Sequence, residues 1–250
     1  MTNRAHRLSL LLGMTFTVLV TPVLVLAAKP IELGSRRELF VDRHLVETLK
    51  GADYRLHHPR PAEISVTLDQ PWEKRFNNGI SVVKDRSRFL LYYSADNRLA
   101  VAVSQNGVHW EKPPLDLVDF EGNRNNNLVG TSDGKLMIAD TRPLPEIFLD
   151  HRPDVKPPER FKALTLDEQP GVTFVHAWVS ADGFAFRRLR DKPIIRTSLF
   201  GAFDGFESLF WSDVEQQYVM YLRYAIRVQP PNPRDPNRRV IARMTSRDFL

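Results

Sequence analysis

Carboxylate and amide side chains precede short apolar runs in this 250-residue chain. Glu207 comes directly before the run 208–211, and Asn78 comes two residues before the run 80–83. Each stands eleven residues before an aromatic residue that opens the following run. A carboxylate in such a place can exchange a proton with a bound molecule. An amide can bind a hydroxyl group but cannot act as a base at neutral pH.

Other acidic residues stand near the same places. Glu146 lies at the start of a third apolar run, and Asp204 comes three residues before Glu207. Simpler interpretations remain for two of these residues: a solvated carboxylate at a strand start for Glu207, and a turn cap for Asp204. Asp150 is interpreted as the turn that closes the third run, and Asp140 is a more remote candidate.

A repeated segment organises the runs that carry these side chains. The stretch 104–110 recurs as 180–186 and begins again at 245–250, so that its serines stand 76 and 66 residues apart. Three apolar or aromatic runs precede each copy, which predicts strands, and the Asn-Gly and Asp-Gly pairs predict hairpin turns. Four short strands joined by turns form the blade of a β-propeller. The alternative is a set of unrelated hairpins in a β-sandwich.

Aromatic residues and asparagines accompany the repeat. Trp110 and Phe186 share one offset within their copies, so we expect them to pack where the fourth strand meets its blade. A sugar-stacking platform is the alternative for Trp110. The asparagines within 123–127 predict tight turns whose side chains bond their own backbone.

The first 28 residues are predicted to be a signal peptide, and residues 29–250 one domain. Arg4 and Arg7 precede the nearly uninterrupted apolar stretch 8–26, and small residues follow it. An uncleaved anchor is the alternative. We therefore expect a secreted or periplasmic protein that leaves the membrane after cleavage. The chain contains no cysteine, which excludes disulfides and thiolate metal sites. The net charge of +5 is scattered, so no nucleic-acid partner is expected.

Several segments together resemble one protein family. They are the stretches 37–47, 56–59, 70–73, 107–113, 126–129, 157–164 and 202–204. The chain is similar to secreted bacterial proteins, abundant in planctomycete-type genomes, of the superfamily of five-bladed β-propellers. That superfamily comprises the glycosyl hydrolase family 32 N-terminal domain and family 43-like proteins.

The resemblance implies a fold and a chemistry. The fold is an all-β, five-bladed propeller, here truncated to about three blades. Enzymes of that superfamily carry one acidic residue near the start of the innermost strand of blades one, two and three. These act as nucleophile or base, as a pKa-tuning Asp and as general acid. Glu207 matches the general-acid place, with Glu146 or Asp204 as its partner, whereas Asn78 occupies the blade-one place as a sugar-binding amide.

Two functions therefore stand as expectations. One is a glycoside hydrolase-like enzyme acting on an oligo- or polysaccharide; the other is a carbohydrate-binding propeller without catalysis. A structural propeller without a small ligand is a third. No cofactor and no metal ion is expected. Because only two blades and most of a third precede Leu250, we also expect a truncated member of the family or a fragment of a longer gene product.

Overall fold

The computed structural model describes residues 30–34, 38–74, 80–96, 98–131, 146–198, 203, 208–227 and 237–250, without the side chains of Glu146, Arg227 and Asn237. The predicted signal peptide lies outside these residues. Contacts within the chain divide it into two units, residues 1–61 and 62–250.

In the first unit the described residues form bends and turns. The Tyr54 hydroxyl donates a hydrogen bond to the carbonyl oxygen of Asp42 at 3.2 Å, which links two of these turns. Leu39, Val41 and Leu56 are largely exposed. None of the segments described in either unit forms a helix of the length and hydropathy that a membrane crossing requires.

The second unit is built from strands. They are β1 (Ile80–Asp85), β2 (Arg88–Ala95), β3 (Arg98–Ser104), β4 (Gly130–Thr131), β5 (Glu146–Leu149), β6 (Phe161–Gln169), β7 (Val172–Ser180), β8 (Ala185–Arg188), β9 (Ile195–Thr197), β10 (Ser208–Ser212), β11 (Gln217–Arg227) and β12 (Asn237–Ser246). One 3₁₀ turn, Pro157–Glu159, precedes β6. The described part of the chain contains no α-helix, which confirms the all-β prediction.

The strands form three sheets in chain order. Sheet 1 has the order β1-β2-β3, sheet 2 has β4-β8-β7-β6-β5 with β9 beside β7, and sheet 3 has β10-β11-β12. Neighbouring strands within each sheet are antiparallel, except that β4 runs parallel to β8. The predicted four-strand unit is complete in sheet 2, where β5 to β8 follow one another. In sheet 1 the fourth strand is reduced to the bridge between Val103 and Glu111. Within the described residues no sheet closes on itself.

Because successive side chains of a strand point to opposite faces, the two faces of each sheet contact different neighbours. On β2, Leu90 and Tyr92 pack in a cluster with Phe161 of sheet 2. The intervening Leu91 and Tyr93 pack on the other face. There the covering residues come from the stretches before β1 and after β3: Val66, Trp72, Trp110, Leu117, Val118, Phe120 and Leu128. A third cluster joins sheet 2 to sheet 3. Burial of these apolar side chains is the main force that holds the sheets together.

The repeated segment forms the same hydrogen-bonded loop each time. In the second copy Ser180 Oγ accepts from Gly183 N at 3.0 Å, and Asp182 Oδ1 accepts from Phe184 N at 2.8 Å. In the first, Ser104 Oγ accepts from Gly107 N at 2.8 Å, and Asn106 Oδ1 accepts from Val108 N at 2.9 Å, as Asp182 does in the second copy. The third copy repeats the serine–aspartate bond at 2.9 Å. Serine and Asp or Asn are needed because their oxygens satisfy backbone N–H groups that no strand partner reaches.

The loop is longer than the tight hairpin that the Asn-Gly and Asp-Gly pairs predicted. Val103 pairs with Glu111, and Val179 pairs with Arg187, on either side of the loop. This register also places Trp110 and Phe186 equivalently, one residue before the paired position. Phe186 is fully buried between sheets 1 and 2, and Trp110 packs, partly buried, on the outer face of sheet 1. The predicted equivalence is confirmed.

The third residue after the loop serine differs between copies. It is Gly107 and Gly183 in the first two, with φ of 78° and 85°, and Phe249 in the third, with φ of 67°. Gly183 lies beneath Tyr92 of sheet 1, whose hydroxyl donates to its carbonyl oxygen at 2.9 Å. At the position of sheet 2 that corresponds to Tyr92 stands the smaller Leu164, which shares a cluster with Phe249. At the first junction a large residue on the sheet, Tyr92, thus faces a small one on the loop, Gly183. At the second junction the smaller Leu164 lies near the large Phe249.

We expect Gly183→Ala to destabilise the protein by about 2–4 kcal/mol. A Cβ there would lie 2.5 Å from Tyr92 Oη and 3.1 Å from Phe161 Cε1, in addition to the cost of a left-handed conformation. Gly107→Ala is the matched control, because its Cβ would lie 4.0 Å from Phe89 Cε2, which is an ordinary van der Waals contact. That control should lose only about 1–2 kcal/mol. Urea denaturation of both variants measures the difference, and equal losses would contradict the close approach of Tyr92.

Candidate functional site

Three edge strands, β1, β5 and β10, one from each sheet, lie side by side with β5 in the middle. Ser81 Oγ donates to the carbonyl oxygen of Ile147 at 3.0 Å, and each is the second residue of its strand. Asp85, the last residue of β1, is paired with Arg160, beside the end of β5. The starts of β1 and β5 therefore lie at one edge of the unit, and their ends at the other.

β10 runs in the same direction as β1 and β5. Asp150 follows the end of β5 and accepts a hydrogen bond from the Tyr218 hydroxyl at 2.7 Å. Tyr218 pairs with Trp211 near the end of β10. The ends of β5 and β10 consequently lie together, and so do their starts. We call the common edge, marked by Ile80, Glu146 and Ser208, the strand-start edge.

The residues predicted for catalysis and binding begin or precede these strands in the sequence. Glu146 is the first residue of β5 and pairs with Leu164, but its side chain lies outside the described part of the structure. Glu207, Asp204 and Asn78 also lie outside the described residues. Their roles therefore stay predictions.

At the opposite edge, Asp85 links sheets 1 and 2. Its buried carboxylate is paired with Arg160, the residue before β6 of sheet 2, and, at 3.1 Å, with Arg88 of its own sheet. Arg88 also donates to the carbonyl oxygen of Asp182 at 2.9 Å. Burial acts to raise the pKa of Asp85, but the hydrogen bonds and charges of the two arginines outweigh it and hold this pKa below its ordinary value. The cluster therefore acts as a link between sheets.

Asp150 links sheets 2 and 3 in the corresponding place. The interpretation of Asp150 as the turn that closes its strand is confirmed, because its Oδ1 accepts from Arg152 N at 3.0 Å. It has a second role that no sequence pattern predicted. Oδ2 accepts from Tyr218 and lies 3.3 Å from Nζ of Lys162, which is 2% exposed. Burial lowers the pKa of Lys162, and the charge of Asp150 partly offsets that effect.

A third network lies on the outer face of sheet 1. Glu73 is buried, and its Oε2 accepts from Lys112 Nζ at 2.6 Å and from the backbone N of both Asp69 and Gln70 at 2.9 Å. Its Oε1 accepts from the hydroxyl of Tyr93. Burial, together with this bond, raises the pKa of Tyr93.

Asn127 extends the same network. Its Oδ1 accepts from Trp72 Nε1 at 2.8 Å, and its Nδ2 donates to the Tyr93 hydroxyl at 2.7 Å and to the carbonyl oxygen of Val101 at 2.8 Å. Asn126, by contrast, bonds the backbone N of Leu128 as the turn prediction expected. A sequence pattern cannot distinguish these adjacent asparagines, because the partners of Asn127 are distant in the chain.

A polar pocket opens beside this network. Its volume is about 180 Å³, and it is lined by Gln70, Trp72, Lys112, Pro114, Asn125, Asn126 and Asn127. Four of these seven residues carry side-chain amides. The segments 70–73 and 126–129 belong to those that carry the family resemblance, but no sequence pattern joins them into a site. No cluster of three or more metal-ligating side chains occurs in the part of the chain that the structure describes.

No protein-family model matches this chain, and no curated protein matches it. Among solved structures, a protein described as a glycoside hydrolase aligns with 65% of this chain at 11% sequence identity and a TM-score of 0.40. The alignment covers 52% of that protein, so this chain matches about half of its length. A similarity of this size does not assign an activity.

Proposed function

We propose that this chain is a secreted, carbohydrate-active protein of the β-propeller glycoside hydrolase type, with its saccharide site at the strand-start edge. The observation that carries the proposal is the parallel arrangement of β1, β5 and β10. In a propeller the innermost strand of every blade runs in the same direction around a common axis. Side chains at the strand starts can then converge on one pocket.

We assign three acidic or amide residues to this edge because they begin or directly precede its strands in the sequence. Glu207 is bonded to Ser208, the first residue of β10; Glu146 begins β5; and Asn78 precedes β1 by two residues. Two carboxylates about 5–10 Å apart can flank a glycosidic bond. In the proposed reaction Glu207, as general acid, protonates the leaving oxygen, while Glu146 or Asp204 attacks the sugar or activates water.

The second candidate function is saccharide binding without hydrolysis. It is favoured by the amide of Asn78 at the place where the resemblance implies an acidic residue. An amide retains the hydrogen bonds that hold a sugar hydroxyl but supplies neither a nucleophile nor a base. The same strand-start edge would serve both functions.

The test is a combined screen of the exported protein, whose N-terminal mass also reports cleavage near Ala28. Polysaccharides and arrayed glycans are measured for binding, and released reducing ends are measured for hydrolysis. Reducing ends from at least one polysaccharide support the enzyme, and binding without release supports the second function. If the protein neither binds any glycan nor releases reducing ends, the proposal that the chain acts on carbohydrate is refuted.

A further inference from the structure

We propose that the polar pocket on the outer face of sheet 1 binds one neutral sugar unit, as a site separate from the strand-start edge. Tyr93 and Leu91, beneath the pocket network, point away from sheet 2, whereas Tyr92 and Leu90 point toward it. The pocket therefore lies on the face of sheet 1 that sheet 2 does not cover. Binding there does not require the catalytic residues of the proposed function.

The inner wall of the pocket is held rigidly. Asn127 uses its amide oxygen and both amide hydrogens, and the ammonium group of Lys112 contacts Glu73, Asp69 and the carbonyl oxygen of Thr67. Trp72 is fixed by its bond to Asn127. A wall whose own hydrogen bonds are complete does not reorganise when a ligand enters, which lowers the cost of binding.

The rim of the pocket offers two amides that the network does not need. Gln70 is bound into the network through its backbone N, whereas its side-chain Nε2 donates a hydrogen bond to Asp69 Oδ1 at 2.8 Å, on the exposed side of the network. Asn125 is exposed, and its backbone N donates to Asn123 Oδ1 at 2.8 Å, which leaves the side chain outside that bond. Each side-chain amide carries a donor and an acceptor, which is what a pair of neighbouring sugar hydroxyls requires.

Charge and size define the ligand class. Lys112 is the one cation among the described residues that line the pocket, and Glu73 and Asp69 already neutralise it at 2.6 and 2.9 Å. A phosphate, carboxylate or zwitterion would find no free counter-charge among these lining residues. The pocket volume of about 180 Å³ is several times what a single water molecule needs. This is room for one uncharged ring carrying hydroxyl groups.

The experiment is a titration of the full exported protein with D-glucose, D-galactose, D-mannose and L-fucose. Isothermal calorimetry and saturation-transfer NMR measure the binding of each sugar. We expect one of the four to bind. Gln70→Ala and Asn125→Ala should each weaken its binding about three- to tenfold, the effect of losing one ligand hydrogen bond. Gln105→Ala is the matched control, since it removes an exposed amide from the repeat loop outside the pocket.

Thermal unfolding of all three variants should be unchanged, because none of these side chains is part of the buried network. Absence of binding by all four sugars would overturn the proposal, as would binding that neither rim variant weakens. If a sugar binds with the expected dependence while no polysaccharide is bound or cleaved, the pocket stands and the proposed function fails. Polysaccharide cleavage without single-sugar binding would support the proposed function and refute the pocket.

Discussion

Asp150→Ala is expected to destabilise the protein by about 3–5 kcal/mol, the cost of breaking a buried ion pair by removing one partner. The variant would leave the ammonium group of Lys162, which is 2% exposed, without its carboxylate, and the Tyr218 hydroxyl without its acceptor. A loss of this size is a large share of the roughly 5–15 kcal/mol that typically stabilises a domain. Chemical denaturation monitored by tryptophan fluorescence measures it.

Sheet 1 supplies the design of a control. The position that corresponds to Lys162 is Leu90, since the two residues pair with Val179 and Val103, next to the loop serines. In sheet 1 the apolar residue coexists with the buried Asp85. The double variant Asp150→Asn/Lys162→Leu should therefore regain at least half of the lost stability. A double variant as unstable as Asp150→Ala would show that the charge pair itself is needed.

The same variant should have a characteristic pH dependence. Burial already depresses the pKa of Lys162 in the folded protein below its ordinary value of 10.5, and the loss of Asp150 removes an effect that opposed this. A depressed folded-state pKa makes stability rise as the pH rises toward the unfolded-state value. The deficit of Asp150→Ala should thus be smaller at about pH 9.5 than at about pH 7. A pH-independent deficit would argue that Lys162 is not the cause.

Glu207→Gln should reduce hydrolysis by about 10²–10⁴-fold if the protein is a hydrolase, while saccharide binding stays nearly intact. The amide has the shape of the carboxyl group but has no proton to transfer to the leaving oxygen. Turnover of the polysaccharide identified in the screen is the measurement. Circular dichroism of the variant establishes that the strands are retained.

Glu215→Gln provides the control for this experiment. Glu215 lies in the turn after β10, is exposed, and is paired with Arg243, so it stands at the opposite end of the strand from residue 207. Its replacement should leave turnover unchanged. Full activity of Glu207→Gln would remove that residue from the site, and equal losses in both variants would indicate a general effect of charge.

The repeated unit could be predicted because its signals are local. Alternating apolar and aromatic residues predicted the paired strands, and the loop motif predicted where β3, β7 and β12 end. Lys162 shows the limit of such signals. A lysine in a strand usually indicates a solvated face, and only the carboxylate of Asp150, brought near by the fold, makes its burial tolerable. Phe249 is a second case, because its left-handed conformation is one that a pattern assigns to glycine.

The polar pocket shows why the candidate site was only partly predictable. Glu73, Tyr93, Lys112 and Asn127 are separated by up to 54 residues, and no spacing rule joins them. The predicted acidic residues depend instead on their position before a strand. That position is local, so the sequence can name Glu207 and Glu146, but the distance between their carboxyl groups depends on how whole sheets pack.

Tyr92 over Gly183, and Leu164 beside Phe249, together determine which sheet can follow which. The three loops have nearly the same backbone hydrogen bonds, so backbone geometry alone would let any sheet accept any loop. Side-chain volume removes that freedom: Tyr92 would collide with a phenylalanine in the place of Gly183, and Leu164 would leave a void above a glycine. Similar repeats can pair in the wrong order during folding, and this fit between a sheet and the loop of the next repeat opposes such misordered assembly. A repeat moved elsewhere in the chain would therefore have to be moved together with the neighbour that it fits.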